Sequence, residues 1–299
     1  MRIKLIILSL SLLTVFNTSC FIKKAIIIDN YHVHEMPPGG IKINDNLFCD
    51  QTEISNLDWA EYMYWNKRIF GSESVEYLSI LPDTFSWLEM DSCLHSFASH
   101  YHNRMAYPLV GVSQEQAKKF SKWRTDRVFE YLLAKYGVIQ YDTEQTRDNH
   151  FTIERYFNGE LTNVISDREF NYYLEFRLPT LEERKLILYY NDSVMQNIGK
   201  RVCKCDYPYI WSDIIPCIND SLSAMPTRPV SCNCSSRNDK RIFNLYGNVS
   251  EWTSEKNIAA GGSWLDKKER ILSTDTFNLV SPNAWTGFRN VSEWKTWEK

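Results

Sequence analysis

The chain changes character partway along, and that change limits what it can fold into. Ahead of residue 200 it carries three helix starts with their own capping residues; beyond Cys203 it is broken every few residues by Asn, Ser, Pro and Gly. Ser55-Asn56-Leu57-Asp58 opens a run in which Trp59, Tyr62, Met63 and Ile69 recur at helical spacing until Gly71. Ser113-Gln114-Glu115-Gln116 is a capping box, in which the serine oxygen takes an orphan amide and the glutamine reaches back. Ala117, Phe120, Val128 and Tyr131 then give a core face until Gly137. Thr180-Leu181-Glu182-Glu183 repeats the box and predicts a helix through about Tyr190. The rear holds only brief apolar runs between turn formers, which predict irregular loops crossed by short strands. Helices gathered ahead of short strands predict an α+β fold.

With 299 residues, 43% hydrophobic and 14% aromatic, the chain has ample material for a core. A formal net charge of -3 gives no basic field to draw in phosphate backbones, which argues against a nucleic-acid partner. Arg2 and Lys4 precede an apolar run from Leu5 to Phe16, the length of a signal-peptide core and short of a bilayer span. The run ends at Asn17-Thr18-Ser19-Cys20, which resembles a bacterial lipobox, although Asn17 stands where an apolar residue is usual. Cys20 is therefore the expected lipidation site, the alternative being a plain secretory signal with an incidental cysteine, and the protein is expected in the cell envelope, anchored to the outer or inner membrane and facing the periplasm or cell surface. Residues 1–20 then form the signal segment, 21–35 a tether, and 36–299 one folded domain.

Export changes the meaning of the cysteines. Besides Cys20 there are Cys49, Cys93, Cys203, Cys205, Cys217, Cys232 and Cys234. Two thiols in a Cys-x-Cys unit are poorly placed to bond each other, so in an oxidising compartment crossed disulfides between Cys203/Cys205 and Cys232/Cys234 are expected. The rival is a zinc site built from the same two units, although structural zinc more often has two to four residues between ligands. An odd count of seven leaves at least one thiol free or paired with another chain.

Other chemistry is weakly signalled. His95, His100 and His102 cluster, with Asp91 or Glu89 as possible carboxylate partners and His32 and His34 in the tether; a facial iron site could draw on them, yet a loop histidine group is commoner. Gly111-Val112-Ser113 lacks the second glycine of a nucleophile elbow, and Ser113 is already used as a cap. Glu182 and Glu183 face a helix dipole, which explains them without catalysis. Trp285, Trp294 and Trp297 are candidate interface anchors, with Trp285 expected to pack beside Gly287-Phe288-Arg289.

Six blocks in order carry a resemblance. They are Pro38-Gly39-Gly40, Glu53-Ile54-Ser55-Asn56, Tyr107 to Ser113 with Ala117 and Trp123, Arg177-Leu178-Pro179-Thr180 with Glu183, Asn244 to Trp252, and Gly261-Gly262-Ser263-Trp264 with Gly287-Phe288-Arg289. Together they resemble the formylglycine-generating enzyme, or sulfatase-modifying factor, family from about Pro37 to Val291. The resemblance implies an irregular, loop-rich, C-type-lectin-like fold with a few helices and short strands. It also implies a calcium ion held by the side chains of Asn244 and Glu251 and the carbonyls of Gly247 and Val249. Where the family carries its copper-binding cysteines this chain has Asp266 and Ile271, so no copper is expected and no catalytic residue is assigned. Pro82 to Trp87 and Lys122 to Val128 further resemble family members that serve as gliding-motility and type IX secretion lipoproteins of Bacteroidota. The expected use is thus a non-catalytic, membrane-anchored scaffold that binds other envelope proteins; the alternative is an oxidoreductase of the formylglycine-generating or non-haem iron type acting on exported substrates.

Overall fold

The computed structural model describes residues 36–87, 105–166, 170–198, 240–266 and 276–298. Cys20 and the tether, Cys93, the five cysteines from Cys203 to Cys234, all the histidines named above, Glu89, Asp91 and Ile271 lie outside the described residues.

The helix starts form as their caps dictate. Helix α1 (Asn56–Phe70) has Ser55 as N-cap, with Ser55 Oγ accepting from Asp58 N–H and the Asp58 side chain accepting from Ser55 N–H, and it ends at Gly71. A four-residue helix α2 (Val75–Leu78) and a 3-10 turn (Phe85–Trp87) follow. Helix α3 (Gln114–Lys135) starts on the Ser113/Gln116 box. Its inner face departs from the expected one after Phe120. Tyr131 is half exposed and Val128 only partly buried, whereas Phe129, Leu132 and Leu133 are buried. Val128 and Tyr131 sit one residue off the stripe, which passes through polar Ser121 and Thr125. Both hydroxyls bond back to the carbonyls of Ala117 and Ser121 at 2.9 Å, and Thr125 also takes the Phe176 N–H at 2.8 Å.

A short helix α4 (Ile153–Phe157) precedes helix α5 (Leu181–Ile198), which starts on the Thr180/Glu183 box and runs two turns past Tyr190. It continues through Asn191 because that side chain accepts the Ile242 N–H at 2.9 Å in a buried setting.

The strands are short and make two sheets. In the first, β1 (Gly40–Lys42), β2 (Phe48–Asp50), β8 (Val291–Thr296) and β3 (Tyr172–Arg177) lie side by side in that order, all antiparallel. In the second, β6 (Thr276–Asn278), β5 (Ile258–Ala260), β4 (Ser250–Trp252) and β7 (Thr286–Gly287) pair antiparallel except for the parallel β4–β7 contact. The first sheet thus joins the chain's opening to its close.

Arg177 locks the junction of β3, α5 and β8. Its guanidinium bonds Glu183 at 2.6 and 2.8 Å and Glu293 at 2.7 and 3.0 Å. Glu183 therefore serves as both cap and counter-ion, while exposed Glu182 pairs with Lys185. The main core gathers Ile54, Trp59, Leu109, Phe120, Trp252 and Phe288, so α1, α3, the second sheet and the Gly287-Phe288-Arg289 block share one interior. Trp297 stacks on Phe157 with ring centres 4.6 Å apart, in the cluster around Phe129.

Candidate functional site

The loop from Asn244 to Glu251 needs its asparagines and glycine for backbone reasons first. Asn244, Gly247 and Asn248 all stand at positive φ, of 56°, 81° and 62°. Among side-chain residues asparagine tolerates that region best, so a close succession of left-handed turns is written as Asn-x-x-Gly-Asn. The loop is pinned by Gly247 N–H to the Gly261 carbonyl and by Trp264 N–H to the Asn248 carbonyl, each at 2.8 Å. Leu245 and Val249 point into the core, and the chain then enters β4 with Glu251 at its centre.

Glu251 is 1% exposed and flanked on both sides by backbone, Ala260 of β5 and Gly287 of β7. The close approach at Gly287 requires glycine, because a Cβ there would lie 2.4 Å from the Leu109 carbonyl oxygen. Glu251 Oε1 accepts from Arg289 Nε at 2.7 Å, and Oε2 accepts from Arg184 Nη1 at 2.6 Å. Arg289 also donates to the carbonyls of Asp50 and Phe243 at 3.1 and 2.8 Å, and lies 3.9 Å from Glu53. Burial opposes the Arg289 charge, but Glu251 and Glu53 hold its pKa above the ordinary arginine value. Glu53 in turn accepts from Asn248 Nδ2 at 2.6 Å and Asn244 Nδ2 at 3.2 Å. Cys49, beside this group, is buried and unbonded to another cysteine, with its thiol pushed up to about 12, chiefly by burial; it is an inert core residue.

Burial pushes the Glu53 carboxyl up from 4.5 to about 7; Glu251 adds to the rise, and Arg289 and Asn248 oppose it. Between these two values the folded protein holds a proton that the unfolded chain has lost, so stability falls as pH rises through the window. A rise of that size corresponds to on the order of 3 kcal/mol. Urea unfolding of wild type and Glu53→Gln from pH 4.5 to 8 is expected to show the wild type losing ground against the variant as pH rises. A constant difference between the two would disprove the assignment.

The remaining expectations fall as follows. Asn244, Gly247, Val249 and Glu251 lie along one loop, and the two carboxylate oxygens of Glu251 accept from Arg289 and Arg184 respectively. Asp266 is part of a tight turn, with its Oδ2 accepting the Ser263 N–H and hydroxyl at 2.8 Å each. Of the segments that resemble motility lipoproteins, Asp83 pairs backbone to backbone with Gly111 at 2.7 Å, and Arg124 ties α3 to Asp50 at 2.6 Å and to the Pro38 carbonyl at 3.0 Å. Arg127 lies over the Trp65 ring at 4.6 Å. All of these are packing roles. Among the described residues no group of three or more His, Cys, Asp or Glu side chains is placed to hold a metal ion, and no helix is long and apolar enough to cross a membrane.

Sequence reasoning missed Arg184 and Glu53, two of the four buried ions. The signal for Arg184 was positional: it shares a face of α5 with Ile187 and Asn191, three and seven residues on, and a charge on an inward face needs a buried partner.

No curated protein matches the chain. CarF, known from a crystal structure, is 17% identical with a TM-score of 0.40, covering 83% of this chain and 86% of its own. Variable protein 1 of Treponema denticola is 13% identical with a TM-score of 0.38, covering 83% and 84%. The family described as "Sulfatase-modifying factor enzyme 1-like domain" matches residues 23–294. With that match spanning nearly the whole chain, and with few helices, short strands and long loops as the family resemblance implied, the protein belongs to the sulfatase-modifying factor enzyme 1-like domain family.

Proposed function

We propose that the protein is a non-catalytic scaffold: a sulfatase-modifying-factor-type domain lipidated at Cys20, held at the membrane facing the periplasm or cell surface, and used to bind other proteins of an envelope assembly of the motility or secretion kind. The observation that carries the reading is Asp266. It stands where a soft thiolate would be needed to bind Cu(I), and a hard carboxylate is a poor ligand for that ion. It also has a job of its own, closing the turn with Ser263. Ile271, at the second thiol position, offers no donor atom. Among the described residues the interior is built by the blocks around Trp252, Gly287 and Phe288, so the architecture does not call on copper chemistry.

The test combines chemistry and anchoring. Purified protein given Cu(I) under reducing conditions, oxygen and a cysteine-containing sulfatase peptide is expected to leave the peptide unchanged by mass spectrometry. Labelling of cells with a fatty-acid probe is expected to tag the wild type and miss Cys20→Ser. Conversion of the peptide cysteine to formylglycine would sink the scaffold reading in favour of the oxidoreductase, and equal labelling of both proteins would remove the anchor.

A further inference from the structure

Behind the Asn244–Glu251 loop four ionisable side chains meet with almost no exposure, Glu53 and Glu251 against Arg184 and Arg289. Their formal charges cancel. Buried charges persist only when paired and hydrogen-bonded, so a divalent ion added to this group would leave a double positive charge with nothing to balance it.

Arg184 meets the loop through one of the four positions expected to hold calcium, Glu251, and through the carbonyl of Leu245 beside them. Its Nη1 donates to Glu251 Oε2 at 2.6 Å and its Nη2 to the Leu245 carbonyl at 2.7 Å, so one planar guanidinium spans a carboxylate and a backbone oxygen of the same loop. Those are the two kinds of ligand a calcium site would draw from this loop. The seat is cut to fit. Gly261 stands at φ +102°, and a Cβ there would come within 2.3 Å of Arg184 Nη2. Helix α5, fixed at its start by the Thr180/Glu183 box, carries the arginine in on its buried face.

We infer that the Arg184 guanidinium takes the place and the role of calcium in this loop, so that the domain is organised from within and its stability does not follow the calcium around it. This holds whether the domain serves as scaffold or enzyme.

Thermal melting of the full chain in EGTA and then in millimolar calcium chloride, with calorimetric titration of calcium chloride alone, tests the inference. The wild type is expected to melt identically in both and to show no binding heat. Arg184→Met, which keeps the stem and removes the charge, is expected to melt several degrees lower, with Arg184→Lys in between because a point charge cannot span both oxygens. One-to-one calcium binding with a raised melting temperature in the wild type would overturn the inference. So would Arg184→Met melting with the wild type, or Lys and Met losing equally. Should Arg184→Met not fold, the wild-type titration and the lysine variant decide alone.

Discussion

Arg289→Met is expected to cost about 3–5 kcal/mol of folding stability, the range for removing one partner from a buried ion pair. The arginine is 1% exposed and serves four oxygens: Glu251 at 2.7 Å, the carbonyls of Asp50 and Phe243, and, at 3.9 Å, Glu53. Methionine fills most of the volume, so the loss reports charge and hydrogen bonding rather than a cavity. What remains is a buried cluster of two carboxylates and one guanidinium. Glu53 would answer by holding its proton to higher pH, which makes the penalty pH-dependent and smallest in acid. Against a typical total of about 5–15 kcal/mol such a loss removes a large share of the stability. Guanidinium chloride unfolding at pH 7.5 measures it, and Glu251→Gln combined with Arg289→Met completes a cycle. A loss below about 1 kcal/mol, or strict additivity in the cycle, would show that the pair is not coupled as the geometry states.

The part of the fold legible in the sequence is the part fixed by local chemistry. Capping pairs three residues apart mark the starts of α1, α3 and α5, because an N-cap bond is made within four residues and needs no tertiary partner. Where tertiary contacts decide, the reading fails in a regular way. The inner face of α3 was obscured because Ser121 and Thr125 interrupt its apolar stripe and are satisfied only by helix carbonyls and by β3. The true end of α5 lies beyond Asn191 because a loop amide fifty-one residues away completes that side chain. Strands of two or three residues carry too few alternations to announce themselves, and one such pairing joins residues 48–49 to 291–292 across almost the whole chain. The site divides the same way. The Asn244 to Trp252 block is legible as a motif with Asn244, Gly247 and Glu251 singled out, but the burial of Glu251 is not. Arg184 is marked only by its spacing to Ile187 and Asn191, since the Glu-Glu-Arg-Lys run by itself does not distinguish an inward guanidinium from a solvated one.

Trp59→Ala is expected to cost about 3–5 kcal/mol, the loss typical of a buried large aromatic truncated to a methyl. Trp59 is where the front and rear of the chain are bolted together. It comes from α1, stacks on Phe120 of α3 with ring centres 5.5 Å apart, and meets Phe288 of the Gly287-Phe288-Arg289 block edge-on at 6.1 Å. Its indole Nε1 donates to the Ile80 carbonyl at 3.2 Å, which holds the segment following α2 against the core. Truncation leaves a cavity walled by Tyr62, Phe120 and Phe288, rings pinned to different elements that cannot close in together. Phenylalanine separates packing from the polar handle: it restores most of the contact area but leaves the Ile80 carbonyl unpaired, so a residual loss of about 1–3 kcal/mol is expected. Urea unfolding should show midpoints falling in the order wild type, Phe, Ala at a constant slope, since the same surface is exposed in each case. Because the ring touches Phe288, the neighbour of Arg289, the Ala variant should also couple to Arg289→Met, with the double mutant departing from the sum of the singles by more than about 0.5 kcal/mol. Additive behaviour would mean that the aromatic core and the buried ion cluster stand independently, and that the C-terminal block is not the hinge between them.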